Sequence, residues 1–271
     1  MSSVFKSLLI FIGVVASYGA ELRVCADPNN MPYSNAQGRG FENELAQMIA
    51  RDFGRTLVYH WAPQRGRYLK NGLNAGRCDV VLGAVSGMDR VWTTRPYYRS
   101  SYVFVARSDG GASIRSFDDP ALQRARIGVH VLQSEDATSP PAQVLLDRGL
   151  TRNLHWYKLY PDFTRENPQA ALIEAVASGD VDVALVWGPL AGYFAKHATA
   201  PLSVTPVPNQ VEKSIPLAFD ISMAVRRGDT GLLSALNKEL KFRKSEIREL
   251  LHKYGVPTVT GMEAQSSFAR R

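Results

Sequence analysis

The residues of this chain most able to bind a metal or move a proton near neutral pH are its five histidines, His60, His130, His155, His197 and His252. None stands at ligand spacing from another or from a cysteine, and the chain contains no His-Glu-x-x-His and no Cys-x-x-Cys. Nucleotide chemistry lacks its loops too. Gly38-Arg39-Gly40 is missing the third glycine of a dinucleotide turn, and no phosphate loop is present. No Gly-x-Ser-x-Gly elbow presents a serine nucleophile. No metal and no cofactor is expected. Scattered carboxylates leave acid–base catalysis open but assign it to no residue.

What remains is a set of loops that mix amide, aromatic and charged side chains. Asp27-Pro28-Asn29-Asn30-Met31-Pro32-Tyr33, Trp61-Ala62-Pro63-Gln64-Arg65 and Gly83-Ala84-Val85-Ser86-Gly87-Met88-Asp89-Arg90 each follow an apolar run. Val131-Leu132-Gln133-Ser134 and Trp187-Gly188 stand in the same kind of position further on. In open α/β sheets, ligands bind at such strand C-terminal ends. The candidate binding residues are therefore Asp27, Asn29, Asn30, Met31, Tyr33, Trp61, Gln64, Arg65, Ser86, Arg90, Gln133 and Trp187. Each has a plainer reading beside it. Arg90 could be a surface or linking arginine and Trp187 a core aromatic. Asn29, Asn30 and Asp27 could simply build and brace their own turn.

The elements that must carry these loops alternate. Leu22–Ala26, Thr56–Trp61 and Cys78–Gly83 read as strands. Between them Phe41, Leu45, Met48, Ile49 and Phe53 recur at helical spacing, with Glu42 and Glu44 in the first turn and Gly54 as the stop. The pattern restarts with strands at Arg126–His130, Val181–Trp187 and Leu202–Val207. A helix after Asn167-Pro168 is read as an N-cap followed by a first-turn proline. Phe219–Val225 is a further strand, followed by a helix capped by Asp229 with Leu233, Leu236 and Leu240 inward. A last helix carries Ile247, Leu250, Leu251 and Tyr254. Strands alternating with helices imply parallel α/β sheets.

At 271 residues, 45% hydrophobic and 21% charged, the chain is globular and long enough for two units. Lys6, the apolar run Leu8–Val15 and the small residues Ala16, Ser17, Gly19 and Ala20 have the layout of a secretory signal peptide, cut between Ser17 and Ala20. That run is too short to span a bilayer, and no other segment is long enough. Removing residues 1–20 leaves 31 basic against 25 acidic residues. The charge is spread along the chain, densest at Lys238, Lys241, Arg243, Lys244 and Arg248. Export makes nucleic acid a poor partner. This face is either solvated or a dock for an acidic exported protein. In an exported protein the two cysteines, Cys25 and Cys78, suggest one disulfide, which two adjacent parallel strands could bring together.

Leu-Arg-Val-Cys-Ala-Asp, Met-Pro-Tyr, Gly40-Phe41-Glu42, Arg95-Pro96-Tyr97-Tyr98 and Ala177-Ser178-Gly179-Asp180-Val181-Asp182-Val183-Ala184 resemble bacterial periplasmic solute-binding proteins of the amino-acid-receptor type, family 3. Residues 25–43, Asn74–Val81 and Thr93–Ser100 resemble one branch of it, the MxaJ/XoxJ family. These are the J accessory proteins of pyrroloquinoline-quinone (PQQ) methanol dehydrogenase systems. The resemblance covers nearly all of residues 21–257. It implies a bilobal periplasmic-binding-protein type II fold, two parallel-sheet lobes joined by a two-strand hinge. Residues 21–107 plus 217–257 would form lobe one, 108–216 lobe two, and 258–271 a flexible tail. The implied role is non-enzymatic: a periplasmic factor that matures or activates the dehydrogenase by binding one of its segments or subunits, or its cytochrome c. A solute receptor feeding an ABC transporter is the alternative, and an enzyme on the same scaffold a second. Two departures from amino-acid receptors favour the accessory role. Gln133-Ser134-Glu135-Asp136 puts acids where an anion wants bare backbone N–H groups, and Trp187-Gly188 stands where the ammonium-pairing Asp is usual.

Overall fold

A computed structural model describes residues 20–110, 114–131, 138–159 and 164–260. The signal-peptide reading, Gln133 and most of the proposed tail fall outside the described residues. In chain order the main elements are β1 (Glu21–Ala26), α1 (Phe41–Asp52), β2 (Thr56–Trp61), α2 (Tyr68–Asn71), β3 (Val80–Val85), β4 (Tyr98–Arg107), β5 (Ile127–Val131), α3 (Pro140–Asp147), β6 (Leu154–Lys158), α4 (Ala171–Ser178), β7 (Val183–Trp187), α5 (Gly188–Lys196), β8 (Leu202–Pro206), β9 (Ala218–Val225), α6 (Thr230–Phe242) and α7 (Lys244–Lys253).

The strands follow the order β2-β1-β3-β9-β4-β7-β5-β6, with β8 along β4. β1 runs parallel to β2 and β3, and β5 runs parallel to β7 and β6, so each half has a parallel core. The halves meet in two antiparallel strands. Residues 98–101 of β4 pair with 218–221 of β9, while residues 102–106 of β4 pair with β7. This is the expected bilobal α/β arrangement with a two-strand hinge. The hinge strand β4 carries buried Ser100 and Ser101 in mid-run, which break the apolar pattern that would have announced it in the sequence.

Local chemistry explains the elements nearest the strand ends. In α1, Phe41, Leu45, Ala46 and Ile49 are buried on one stripe. Its start is tied to the preceding loop by Asn43, whose Oδ1 accepts from the N–H groups of Asn35 (2.9 Å) and Gly40 (3.1 Å). Gly40 has no alternative: a Cβ there would lie 2.0 Å from the Tyr33 carbonyl oxygen. A disulfide joins Cys25 of β1 to Cys78 just before β3.

Two local expectations need correcting. Asn167 holds the N-cap position with Pro168 after it, but of a 3₁₀ turn, Pro168–Ala170, that precedes α4; it sits in the left-handed region (φ 51°) and makes no side-chain cap hydrogen bond. In α6 the deeply buried stripe is Leu232, Leu236 and Leu240, with Leu233 half-buried beside it.

Candidate functional site

The loop after β1 is built around Asp27, which is buried. Its Oδ1 accepts from Asn29 N–H (2.9 Å) and its Oδ2 from Gln64 N–H (2.7 Å). Burial pushes the Asp27 acid up, and those two backbone hydrogen bonds oppose the push. Asp27 is thus a brace between the loops after β1 and β2. Gln64 then extends the chain of contacts: it accepts from Asn30 Nδ2 (3.1 Å) and donates to Gly83 O (3.2 Å).

Asn29 faces the other half. Its Nδ2 donates to Arg165 O (2.8 Å), its Oδ1 accepts from Asn167 N–H (3.1 Å), and its carbonyl accepts from Gln169 Nε2 (2.9 Å). The same Gln169 Nε2 reaches Asn30 Oδ1 at 3.2 Å. These amides hold the β1 loop directly against the segment before α4.

Between the halves lies a cavity of about 410 Å³. Asn30, Tyr33, Glu42, Gln64, Gly83, Val85 and Tyr98 line it from one side, with Tyr102, Phe219 and Ile221 on the hinge strands. His130, Ser139, Pro140, Leu159, Trp187 and Leu190 line it from the other side. Trp187 stands edge-on to Tyr102 (5.4 Å) and Phe219 (5.8 Å), an arrangement that suits ring quadrupoles. No Lys, Arg or Asp is among the described lining residues.

The carboxyl and the imidazole in this wall are both driven toward neutrality by burial. Glu42 is pushed up to about 8 and His130 down to about 4, with desolvation the cause in each case. Ser139 is 1% exposed and its Oγ has no hydrogen-bond partner among the described residues. It immediately precedes α3, whose first two residues are Pro140 and Pro141. Those prolines remove two of the N–H groups that a helix start would otherwise aim at an anion. A carboxylate ligand therefore finds neither a cationic side chain among the described lining residues nor a full set of backbone donors at this helix start.

Of the twelve residues singled out from sequence, the structure brings Asn30, Tyr33, Gln64 and Trp187 to this cavity. Asp27 and Asn29 work behind it and across its rim, as described above. Arg65 and Arg90 line an adjoining groove of about 790 Å³ that shares Gln64, Gly83, Val85 and Leu159 with the cavity, with Arg90 exposed and in the left-handed region (φ 71°). Trp61 stacks on Tyr59 at 4.4 Å, two residues before it on β2. The Ser86 hydroxyl is 2.5 Å from that of Ser222 on β9. Met31 is buried in the core and borders a third groove beside Glu44 and Tyr254. Glu42, His130, Ser139, Tyr98, Tyr102 and Phe219 were not legible as site residues. Glu42 reads as an ordinary first-turn acid that favours the helix dipole. Among the described residues no group of three or more His, Cys, Asp or Glu could hold a metal ion, and no helix is long and apolar enough to cross a membrane.

Comparison with known proteins places these features in context. Residues 22–257 match the bacterial extracellular solute-binding proteins, family 3. Protein MoxJ of Paracoccus denitrificans is 33% identical over 248 residues, covering 87% of this chain and 88% of that protein. The structure of the periplasmic binding protein XoxJ from Methylobacterium extorquens AM1 superposes with a TM-score of 0.72 at 33% identity, over 89% of this chain and all of that one. MxaJ from Methlophaga aminisulfidivorans MPT gives 0.73 at 29% identity, over 88% of this chain and all of that one.

Proposed function

Because the chain belongs to the bacterial extracellular solute-binding proteins of family 3, and within them to the MxaJ/XoxJ family, we propose that it is an exported accessory protein of a PQQ-dependent methanol dehydrogenase system. In this reading residues 1–20 are a cleaved signal peptide and the protein acts in the periplasm. Residues 21–107 with 217–257 form one lobe and 108–216 the other. The protein binds a segment or subunit of the dehydrogenase, or its cytochrome c, and catalyses nothing itself.

The observation that carries this reading is the cavity wall. An amino-acid receptor needs opposite charges for the two ends of a zwitterion, and the described lining residues offer no cationic side chain for the carboxylate end. Aromatic anchors dominate the energy of protein contacts, and Tyr33, Tyr98, Tyr102, Trp187 and Phe219 line this wall. A cavity of about 410 Å³ has room for a few inserted side chains, with the rest of the partner resting on the rim.

The test is a pull-down of apo and metal-loaded dehydrogenase by the purified protein, beside calorimetry with the common amino acids. Capture of the dehydrogenase, weakened at least tenfold by Trp187→Ala in a variant whose melting is checked in parallel, is the expected result. Micromolar binding of a free amino acid with no capture would instead identify a transport receptor.

A further inference from the structure

Glu42 is a buried carboxyl whose placement the fold leaves unanswered among the described residues. It enters the cavity wall from the first turn of α1, is 9% exposed, and makes no side-chain hydrogen bond or ion pair with a described residue. Room has been left for it: a Cβ on Gly83 would stand 2.2 Å from its Oε1. The tyrosines and the histidine around it come from several elements and carry no charge of their own near neutral pH; a second buried carboxyl, Asp27, acts on the same Tyr68 as Glu42. Tyr59, Tyr68, Tyr97 and Tyr98 are all raised above the ordinary phenol range, chiefly by burial, and His130 across the cavity is held neutral. A buried, unpaired carboxyl costs stability in either form, because the acid loses its water and the carboxylate loses far more.

Three ligand chemistries can be weighed against this wall. An anion or zwitterion brings a carboxylate to a pocket with no cationic side chain among its described residues, and to a helix start depleted of N–H groups. A neutral planar molecule would use the rings but leave Glu42 as it is. A cation satisfies both: it pairs with the Glu42 carboxylate, and the lining rings of Tyr98, Tyr102, Trp187 and Phe219 can attract it through their quadrupoles. Such contacts strengthen as the cation is desolvated.

We propose that the cavity takes the ammonium head of a small organic cation that carries no carboxylate, with Glu42 as its counter-ion and the rings as its cage. The inference rests on the cleft as the working site and not on the identity of the partner. The ammonium could be a free amine or a lysine side chain of a bound protein segment. Both present the same alkylammonium chemistry.

The test uses choline, whose charge does not titrate, and 3,3-dimethyl-1-butanol, its uncharged isostere, by calorimetry on the mature protein. With the Glu42 acid at about 8, one-tenth of it is ionised at pH 7 and nine-tenths at pH 9, so choline binding should tighten about tenfold between them. At pH 9 choline should bind at least tenfold tighter than the isostere, and Glu42→Gln should erase both the preference and the pH profile. No choline binding at tens of millimolar, equal binding of the isostere, or a flat wild-type pH profile would each overturn the proposal; the last does not depend on the variant folding. Saturating choline that displaces a captured dehydrogenase assigns the ammonium to the partner, and capture with choline still bound assigns it to a free amine. Choline binding without any capture sinks the accessory reading alone, and capture without choline binding sinks this one alone.

Discussion

The two halves begin with the same device and finish it differently. In the first, Arg23 at the start of β1 grips Asp79 just before β3, with Nη2 to Oδ1 at 2.6 Å and Nε to Oδ2 at 3.1 Å. In the second, Arg126 before β5 grips Asp182 before β7 at 2.6 and 3.2 Å through the same atoms. Two residues after each arginine and one before each aspartate the halves diverge. Cys25 and Cys78 form a disulfide, while the equivalent Gly128 and Val181 leave a space that the Leu172 side chain of α4 fills. A Cβ on Gly128 would lie 2.4 Å from Leu172 Cδ1. One half is closed by a covalent bond and the other by packing. The aspartates differ too. Asp79 takes a second arginine, Arg226, and its side chain is 14% exposed against 35% for Asp182. A shared clamp is thus backed by a cross-link and a buried charge network on the side that carries the amide-rich β1 loop.

Removing the covalent element tests this contrast most severely. The bridge closes a chain separation of 53 residues, and its loss in a Cys25→Ala, Cys78→Ala variant should cost about 4 kcal/mol of unfolding free energy. Chemical denaturation with and without reductant measures it: an equal loss on reducing the wild type is expected, and no loss would mean the packing of this half suffices alone.

The clamps themselves should rank next. Burial works against the Asp79 carboxylate, yet hydrogen bonds from Arg23 and Arg226 hold its pKa below the ordinary value; hydrogen bonding to Arg126 does the same for the more exposed Asp182. Asp79→Asn should therefore cost about 3 kcal/mol, since it strands two partly buried guanidiniums. Asp182→Asn should cost less than about 1 kcal/mol. Both carboxylates are depressed in the folded state, so their contribution is complete above the unfolded value near 4 and fades as pH falls. The gap between wild type and Asp79→Asn should narrow in acid. Equal costs for the two variants would show that the second arginine adds nothing.

A further contrast sets the buried acid of one half against the buried base of the other. Glu42 keeps its proton in the folded state up to about 8, so it lowers stability as pH rises from the unfolded value near 4.3 to 8. His130 sheds its proton down to about 4, so it lowers stability as pH falls from 6.5 to 4. Between 4.3 and 6.5 the two slopes oppose each other. Between 6.5 and 8 only Glu42 acts, and the wild type should lose about 2 kcal/mol there. Thermal or urea unfolding across that range should show the loss in wild type and its absence in Glu42→Gln. In the variant the His130 slope should emerge on the acid side.

Much of this molecule is legible in its local sequence patterns, and the exceptions have causes. Leu22–Ala26 and Val181–Trp187 are mainly apolar runs, each interrupted by a single charge, Arg23 or Asp182, and Phe41 to Ile49 keep helical spacing, so both parallel cores can be read directly. The hinge strand Tyr98–Arg107 escapes because Ser100 and Ser101 are buried within it, where Ser100 Oγ finds a partner in the Pro257 carbonyl at 2.6 Å. Leu154–Lys158 escapes because it is an edge strand with mostly exposed residues. At the cavity, Tyr33, Gln64 and Trp187 follow strands and could be named. Tyr102 and Phe219 lie on the hinge strands, which no loop pattern marks.

The sequence alone determined the alternation of strands and helices and the chain positions of the polar loops, because each depends on neighbours within a few residues, and its composition supplied one cysteine pair. Only the tertiary structure decided which acid would matter. Glu42 and Glu44 are two residues apart in one helix turn. Glu44 reaches Lys253 at 2.8 Å and Tyr254 at 2.6 Å, while Glu42 turns into the cavity wall among tyrosines from β2, α2 and β4. Desolvation is a sum over every atom that displaces water, and those atoms come from segments far apart in the chain. The same holds for Asn29 and Gln169, whose meeting across the halves joins positions 140 residues apart that no local pattern links.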